Sequence, residues 1–252
     1  MTSSFRTLVA RLTQTPIVVA LITLTCVAVY YQTLSYGYSL HDDDTMVSLN
    51  LEFISDASNL KEAFLTDAWC KKQTIELYRP LQTATYILDA QTNSDVAFAI
   101  HRTNLLLHIF TSLGVFYLLI ALGFERGYSL AGALVYAVHY LSSHAVIWIP
   151  ARGDLLLALF SVLSMLTFIR LMQTKKTKFL ALNTLFFALA LFSKETAVIL
   201  PVLSALYVWF YHRESIKSTS AIMPLVLAIP SGILYAVLRK SSIVANSQAL
   251  GV

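Results

Sequence analysis

Seven apolar runs constrain this chain more than any other feature. The first extends from about Pro16 to Leu34, and the others cover about 97–122, 128–149, 154–172, 179–192, 196–212 and 221–238. A hydrocarbon core ~30 Å thick is crossed by about 20 apolar residues in helical form. The runs therefore predict an all-α integral membrane protein with about seven transmembrane helices. Composition agrees: 57% of the 252 residues are hydrophobic and 13% are charged, against roughly 25% charged in soluble domains. A basic start with Arg6 and Arg11 before an apolar run also fits a signal peptide. The bulky "YYQTLSYGY" that follows lacks a small-residue cleavage site, so a retained helix is expected.

Between the first two runs, residues 37–96 are too charged to lie in lipid. Ten of the fourteen acidic residues fall between Asp42 and Asp95, while the rest of the chain is basic. Such a split reflects sidedness, and no basic tract interleaved with aromatics points to nucleic acid. With a cytosolic amino terminus, nine Lys and Arg of the short connections fall inside and five outside, which puts the acidic loop on the extracytoplasmic or luminal side. In the loop, "SDASNLKEAFLTDAW" has a Ser/Asp cap and apolar residues at helical spacing, and "RPLQTATYILDA" gives a second helical stretch after Pro80; both are expected as short helices along the membrane surface. Cys26 lies in the first run and Cys70 in the loop, so a disulfide between them is not expected.

The loop begins with a concentration of candidate chemistry, His41 followed by Asp42, Asp43 and Asp44. On the same predicted side, Arg152 in "PARGDLLLALF" and Lys194 in "LFSKETAVILP" stand at helix ends, where outward N–H groups favour an anion. Ser193 is placed to cap the helix after it. One reading makes these cations interfacial anchors, Arg152 paired with Asp154 and Lys194 with Glu195. The other sets a carboxylate cluster against a basic rim at the depth of a lipid-linked phosphosugar. Cations there stabilise a departing phosphate, and a carboxylate above deprotonates an acceptor hydroxyl. His101, Asn104 and His108 share one face of the second run and are expected to point into the protein.

In order along the chain stand "GYSLHDDDTMVSLN", "DAW", "YRPL", "HRTNLLLH", "AVIWIPARGDLLLALF" and "ALFSKETAVILP". In these pieces the sequence resembles the amino-terminal part of GT-C class glycosyltransferases, and more closely the transmembrane-and-TPR O-mannosyltransferases and their bacterial relatives. The resemblance implies a single GT-C-like module over 1–252, with two surface helices in the first outer loop. It implies a polyprenyl- or dolichyl-phosphate sugar donor, a protein or glycan hydroxyl acceptor, and inversion. The membrane is then the bacterial inner membrane or the endoplasmic reticulum. The implied base is an acidic residue of the first loop, here Asp43, with Asp42 and Asp44 as alternatives. Arg79, Arg152, Lys194 and Glu195 become donor phosphate or sugar contacts. His41, His139, His144 and Asp154 are accessory candidates, and a divalent cation held with the help of His41 is left open. Where relatives commonly read "HPLHVEAVAW", this chain reads "HYLSSHAVIW", so Ser142 and His144 replace a histidine and a glutamate. The chain is shorter than such enzymes, which leaves open a missing carboxy-terminal half or a partner subunit. A non-catalytic membrane scaffold and, last, a transporter are the competing readings.

Overall fold

The computed structural model describes residues 14–39, 42–68 and 77–250. His41, Cys70, Arg6 and Arg11 lie outside the described residues. Among the described residues all regular structure is helical. Eleven α-helices are used below: α1 (Thr15–Tyr30), α2 (Asp42–Met46), α3 (Leu51–Ser55), α4 (Pro80–Ala90), α5 (Val96–Ala121), α6 (Arg126–Val138), α7 (Tyr140–Ile147), α8 (Arg152–Thr174), α9 (Thr177–Ser193), α10 (Leu200–Tyr211) and α11 (Thr219–Leu250).

Each apolar run appears as helix, but not all seven reach the length of a span. Thr15–Ser35, Val96–Ala121, Ile149–Thr174 and Thr219–Val244 are long and apolar enough to cross a membrane. Helices α6 and α7 make a fifth crossing only as a pair, bent by 51° at His139. Thr177–Ser193 and Glu195–Tyr211 are shorter apolar helices. At 1.5 Å per residue, 17 residues reach ~26 Å, less than the hydrocarbon thickness. The chain is a multi-pass, all-α membrane protein.

In α1 the four-residue spacing of Val18, Ile22, Cys26 and Tyr30 makes one buried stripe, which packs on Leu105, Ile109 and Phe116 of α5 and on Ala133 and Ala137 of α6. The opposite side of α1, with Leu24 and Val29, is exposed to the lipid that solvates it. Helix α8 runs through the centre of the bundle. It meets α5 at Gly114, where an added Cβ would stand 2.8 Å from Val162 Cγ1. Asn183 of α9 donates to the Ser164 carbonyl of α8 at 2.9 Å and to its hydroxyl at 3.0 Å.

The described part of the acidic loop has its own core of Met46, Val47, Ile54, Ala63, Ala84 and Ile87, packed with Ile100 and Ile149. Here the structure departs from the expected pair of surface helices. The first stretch forms two 3-10 turns, Ala57–Leu60 and Glu62–Phe64, with Asp56 accepting from Ser58 N as the expected cap. The second forms α4 as expected, but seven of its eleven residues are buried. Helix α4 is an internal strut wedged against α5, α8 and α9, and not a surface helix.

Candidate active site

Helix α2 is one turn long and carries the three aspartates. Its direction leaves Asp43 buried at 2% exposure, with Asp42 and Asp44 only partly covered. Asp43 Oδ2 accepts from Ser39 N at 2.7 Å and Ser39 Oγ at 2.8 Å. Its other oxygen, Oδ1, is buried and has no partner. Asp44 is occupied differently, since its Oδ1 accepts from Ser48 Oγ at 2.8 Å. Of the three, Asp43 is therefore the one whose carboxylate is buried, fixed through one oxygen and unpartnered at the other.

Helix α4 carries the groups that tie this corner to the membrane helices. Gln82 Nε2 donates to Pro150 O and to Tyr86 Oη, both at 2.9 Å, and lies 3.6 Å from Met46 Sδ at the end of α2. Tyr86 in turn donates to Ile149 O at 2.8 Å. Burial pushes the Tyr86 phenol up to about 12, so it stays a donor. These two side chains satisfy carbonyls of the 3-10 turn Ile149–Ala151 just before α8, as lipid-depth backbone outside a helix requires.

The structure corrects the expected place of Arg152. Its side chain has no exposure, and it sits in neither an interfacial pair with Asp154 nor at an open phosphate site. Arg152 forms a salt bridge with Asp89 of α4 and donates to Asn104 Oδ1 at 2.7 Å, to Thr85 Oγ1 at 3.3 Å and to Ile100 O. Its guanidinium carbon also lies 4.8 Å from the centre of the Tyr86 ring. Asp89 receives Thr103 Oγ1 on its other oxygen. With its N–H groups so engaged, Arg152 locks α4 to α5 and α8.

The rim beside this lock holds the other predicted cations, also with exchanged partners. Lys194 pairs with Asp154 at 2.6 Å, and Arg79 pairs with Glu195 at 3.5 Å. Burial pushes Glu195 up, but its own backbone N–H and the Arg79 guanidinium outweigh that and hold it below the usual carboxylate range. Ser193 does not cap the following segment; its hydroxyl donates back to Leu189 O at 2.7 Å. Arg79 Nε and Gln82 Oε1 are buried without partners. Both border Gly153, where an added Cβ would stand 2.7 Å from Gln82 Oε1, 3.3 Å from Ser193 O and 3.5 Å from Arg79 Cδ.

His139 and His144 stand apart at the bend between α6 and α7 and are exposed. His139 Nδ1 caps α7 by accepting from Leu141 N at 3.3 Å, and His144 lies against Trp148 with ring centres 4.9 Å apart. The bend is supported from inside, as Ala137 O accepts from Tyr30 Oη at 3.1 Å and from His108 Nε2 at 2.9 Å. His101, Asn104 and His108 are all buried, as their shared face predicts. Among the described residues no three His, Cys, Asp or Glu side chains gather into a metal site. Gln82, Tyr86 and Asp89 were not singled out by the sequence. Their signal was present as a polar face every third or fourth residue of α4, at 82, 86 and 89.

The dolichyl-phosphate-mannose-protein mannosyltransferase family matches residues 85–240, more than half of the chain. The chain belongs to this family. The match begins in α4 and takes in Asp89, Arg152, Lys194 and Glu195; Asp43 and Arg79 precede it. Among curated relatives, human protein O-mannosyl-transferase TMTC1 is 29% identical over 185 residues, 66% of this chain and 21% of the relative. Human protein O-mannosyl-transferase TMTC2 is 29% identical over 75% of this chain and 24% of the relative. Mouse protein O-mannosyl-transferase TMTC3 is 26% identical over 60% of this chain and 16% of the relative. The chain thus spans about a fifth of the length of the family members it matches. No solved structure matches it.

Proposed function

We propose that this chain is a membrane glycosyltransferase module that moves a mannose-type sugar from a polyprenyl- or dolichyl-phosphate to a hydroxyl of a protein or glycan acceptor. Asp43 is the base. The observation that carries this reading is its buried carboxylate, fixed through Oδ2 by Ser39 and unpartnered at Oδ1. In the proposed step Oδ1 takes the acceptor proton while the acceptor oxygen attacks the anomeric carbon. The bond from that carbon to the phosphate oxygen breaks, and the electron pair leaves with the lipid phosphate. Attack opposite the leaving group inverts the anomeric configuration.

Charge develops on the departing phosphate, so cations at the rim stabilise the transition state more than the ground state. Arg79 and Lys194 take that role, exchanging Glu195 and Asp154 for phosphate oxygens. Arg152 positions Arg79 through α4, shares α8 with Asp154, the partner of Lys194, and does not touch the donor. The module works at the extracytoplasmic or luminal face, and membrane lipid surrounds it.

The test is transfer by the full chain, purified in detergent, from radiolabelled polyprenyl-phosphate mannose and, separately, polyprenyl-phosphate glucose to acceptor peptides and glycans. The proposal expects mannose transfer, weakened by Arg79→Gln and Lys194→Gln with KM for donor rising. Donor binding without transfer to any acceptor would favour a non-catalytic subunit and contradict the proposal.

A further inference from the structure

His101 faces into the protein, as its place in the polar stripe of α5 predicts, yet the proposed reaction gives it no part. It stands in the second turn of α5, ~8 Å along the axis from Val96 at 1.5 Å per residue, at the end of that span which adjoins the acidic loop. Its side chain is 1% exposed, and neither ring nitrogen has a hydrogen-bond partner. Buried polar side chains nearly always have one, so a buried imidazole open at both nitrogens calls for a reason. The backbone beneath it is fixed, because Arg152 donates to the carbonyl of Ile100, the residue before it.

The strap Tyr36–Ser39 joins this ring to the proposed base. Tyr36 stands edge-on to His101, with ring centres 6.1 Å apart and planes at 86°. The Gly37 backbone faces the imidazole, but not in hydrogen-bond geometry. Two residues further on, Ser39 fixes Asp43 Oδ2 through its N–H and its hydroxyl. The charges that act on the His101 ring are Arg152, Asp43 and Asp95. Arg152 is committed to Asp89, and Asp95 caps α5 by accepting from Phe98 N at 3.0 Å. Asp43 keeps Oδ1 open. Two buried side chains, each with open hydrogen-bonding atoms, thus border one four-residue strap.

Their chemistries are complementary. A carboxylate only accepts, which suits a proton that is to be removed. A neutral imidazole offers one donor and one acceptor, which suits a hydroxyl that stays intact. In the proposed transfer, on which this inference rests, the acceptor O–H goes to Asp43 Oδ1 and the acceptor oxygen meets the anomeric carbon. The sugar hydroxyl nearest to that new bond is the one at C2. We infer that His101 holds the C2 hydroxyl of the donor sugar and so helps select the sugar, since mannose and glucose differ only in configuration at C2.

The experiment is competitive binding to the full chain in detergent of polyprenyl-phosphate mannose, its 2-deoxy analogue and polyprenyl phosphate without sugar. The wild type is expected to bind the mannosyl donor about tenfold more tightly than the 2-deoxy analogue, the size of one buried hydrogen bond. His101→Leu is expected to lose that tenfold for the mannosyl donor and nothing for the other two ligands. His101→Gln, which keeps a donor and an acceptor, should recover part of it. An equal loss for all three ligands overturns the inference. So does a wild type that binds the mannosyl and 2-deoxy donors alike, a comparison that needs no variant to fold. Transfer is read separately. The expected binding pattern without transfer refutes the catalytic reading and leaves the His101 contact standing, whereas transfer without the pattern refutes the contact alone. Binding of none of the three overturns both.

Discussion

Burying a guanidinium that does not deprotonate obliges the fold to provide both its counter-charge and its acceptors. Arg152 obtains them from Asp89, Asn104, Thr85 and Ile100, on two other helices. Asp89→Asn is therefore expected to cost about 3–5 kcal/mol, the usual effect of stranding a buried charge, read as a lowered melting temperature in detergent. The paired change Asp89→Leu/Arg152→Met should recover most of that loss. Single variants that melt with the wild type would show that the pair is not structural. Gly153→Ala is expected to cost about 1–3 kcal/mol by overpacking, since its Cβ would meet Gln82 Oε1 at 2.7 Å. Melting temperature in detergent is the check, and unchanged stability would contradict the close approach. The partners of these cations were not legible locally, for geometric reasons. Arg152 and Asp154 are two apart on a helix, so their side chains diverge. Lys194 is extended, at φ −159° and ψ 136°, which sends it and Glu195 to different neighbours.

At the scale of elements, the segment from the end of α6 to the start of α8 breaks helical pairing at membrane depth and replaces it with side-chain bonds from older parts of the chain. Tyr30 and His108 meet Ala137 O, Asn104 meets Val146 O, Tyr86 meets Ile149 O, and Gln82 meets Pro150 O. Tyr86→Phe is expected to cost about 1–3 kcal/mol, because Ile149 O then lies buried without its donor. The check is thermal melting of the variant beside the wild type, and an unchanged midpoint would mean that the turn finds another donor. The polar stripe of α5 was readable at once, because charges and amides in an apolar helix have few places to face. The burial of α4 was not. Its apolar spacing looks the same whether that face meets lipid headgroups or neighbouring helices, and only the position of Asp89 against Arg152 decides between them.

For the molecule as a whole, helical class and the number of apolar runs follow from the order of apolar and polar residues along the chain. Which runs are full spans does not, because the lengths of α9 and α10 depend on where Lys175 and Lys194 break the backbone. Likewise an acidic loop reads as solvated until its own core, from Met46 to Ile149, folds it onto the bundle. That folding separates Asp43 from its two neighbours in the run of three and gives the proposed reaction its base. The decisive measurement is the single-turnover rate of sugar transfer from polyprenyl-phosphate mannose by the wild type and by Asp43→Asn, with melting temperatures to match. The variant is expected to bind donor, stay folded and lose about 10²–10⁴-fold in rate, the range a positioned general base supplies. An Asp43→Asn chain that transfers sugar at the wild-type rate would contradict it.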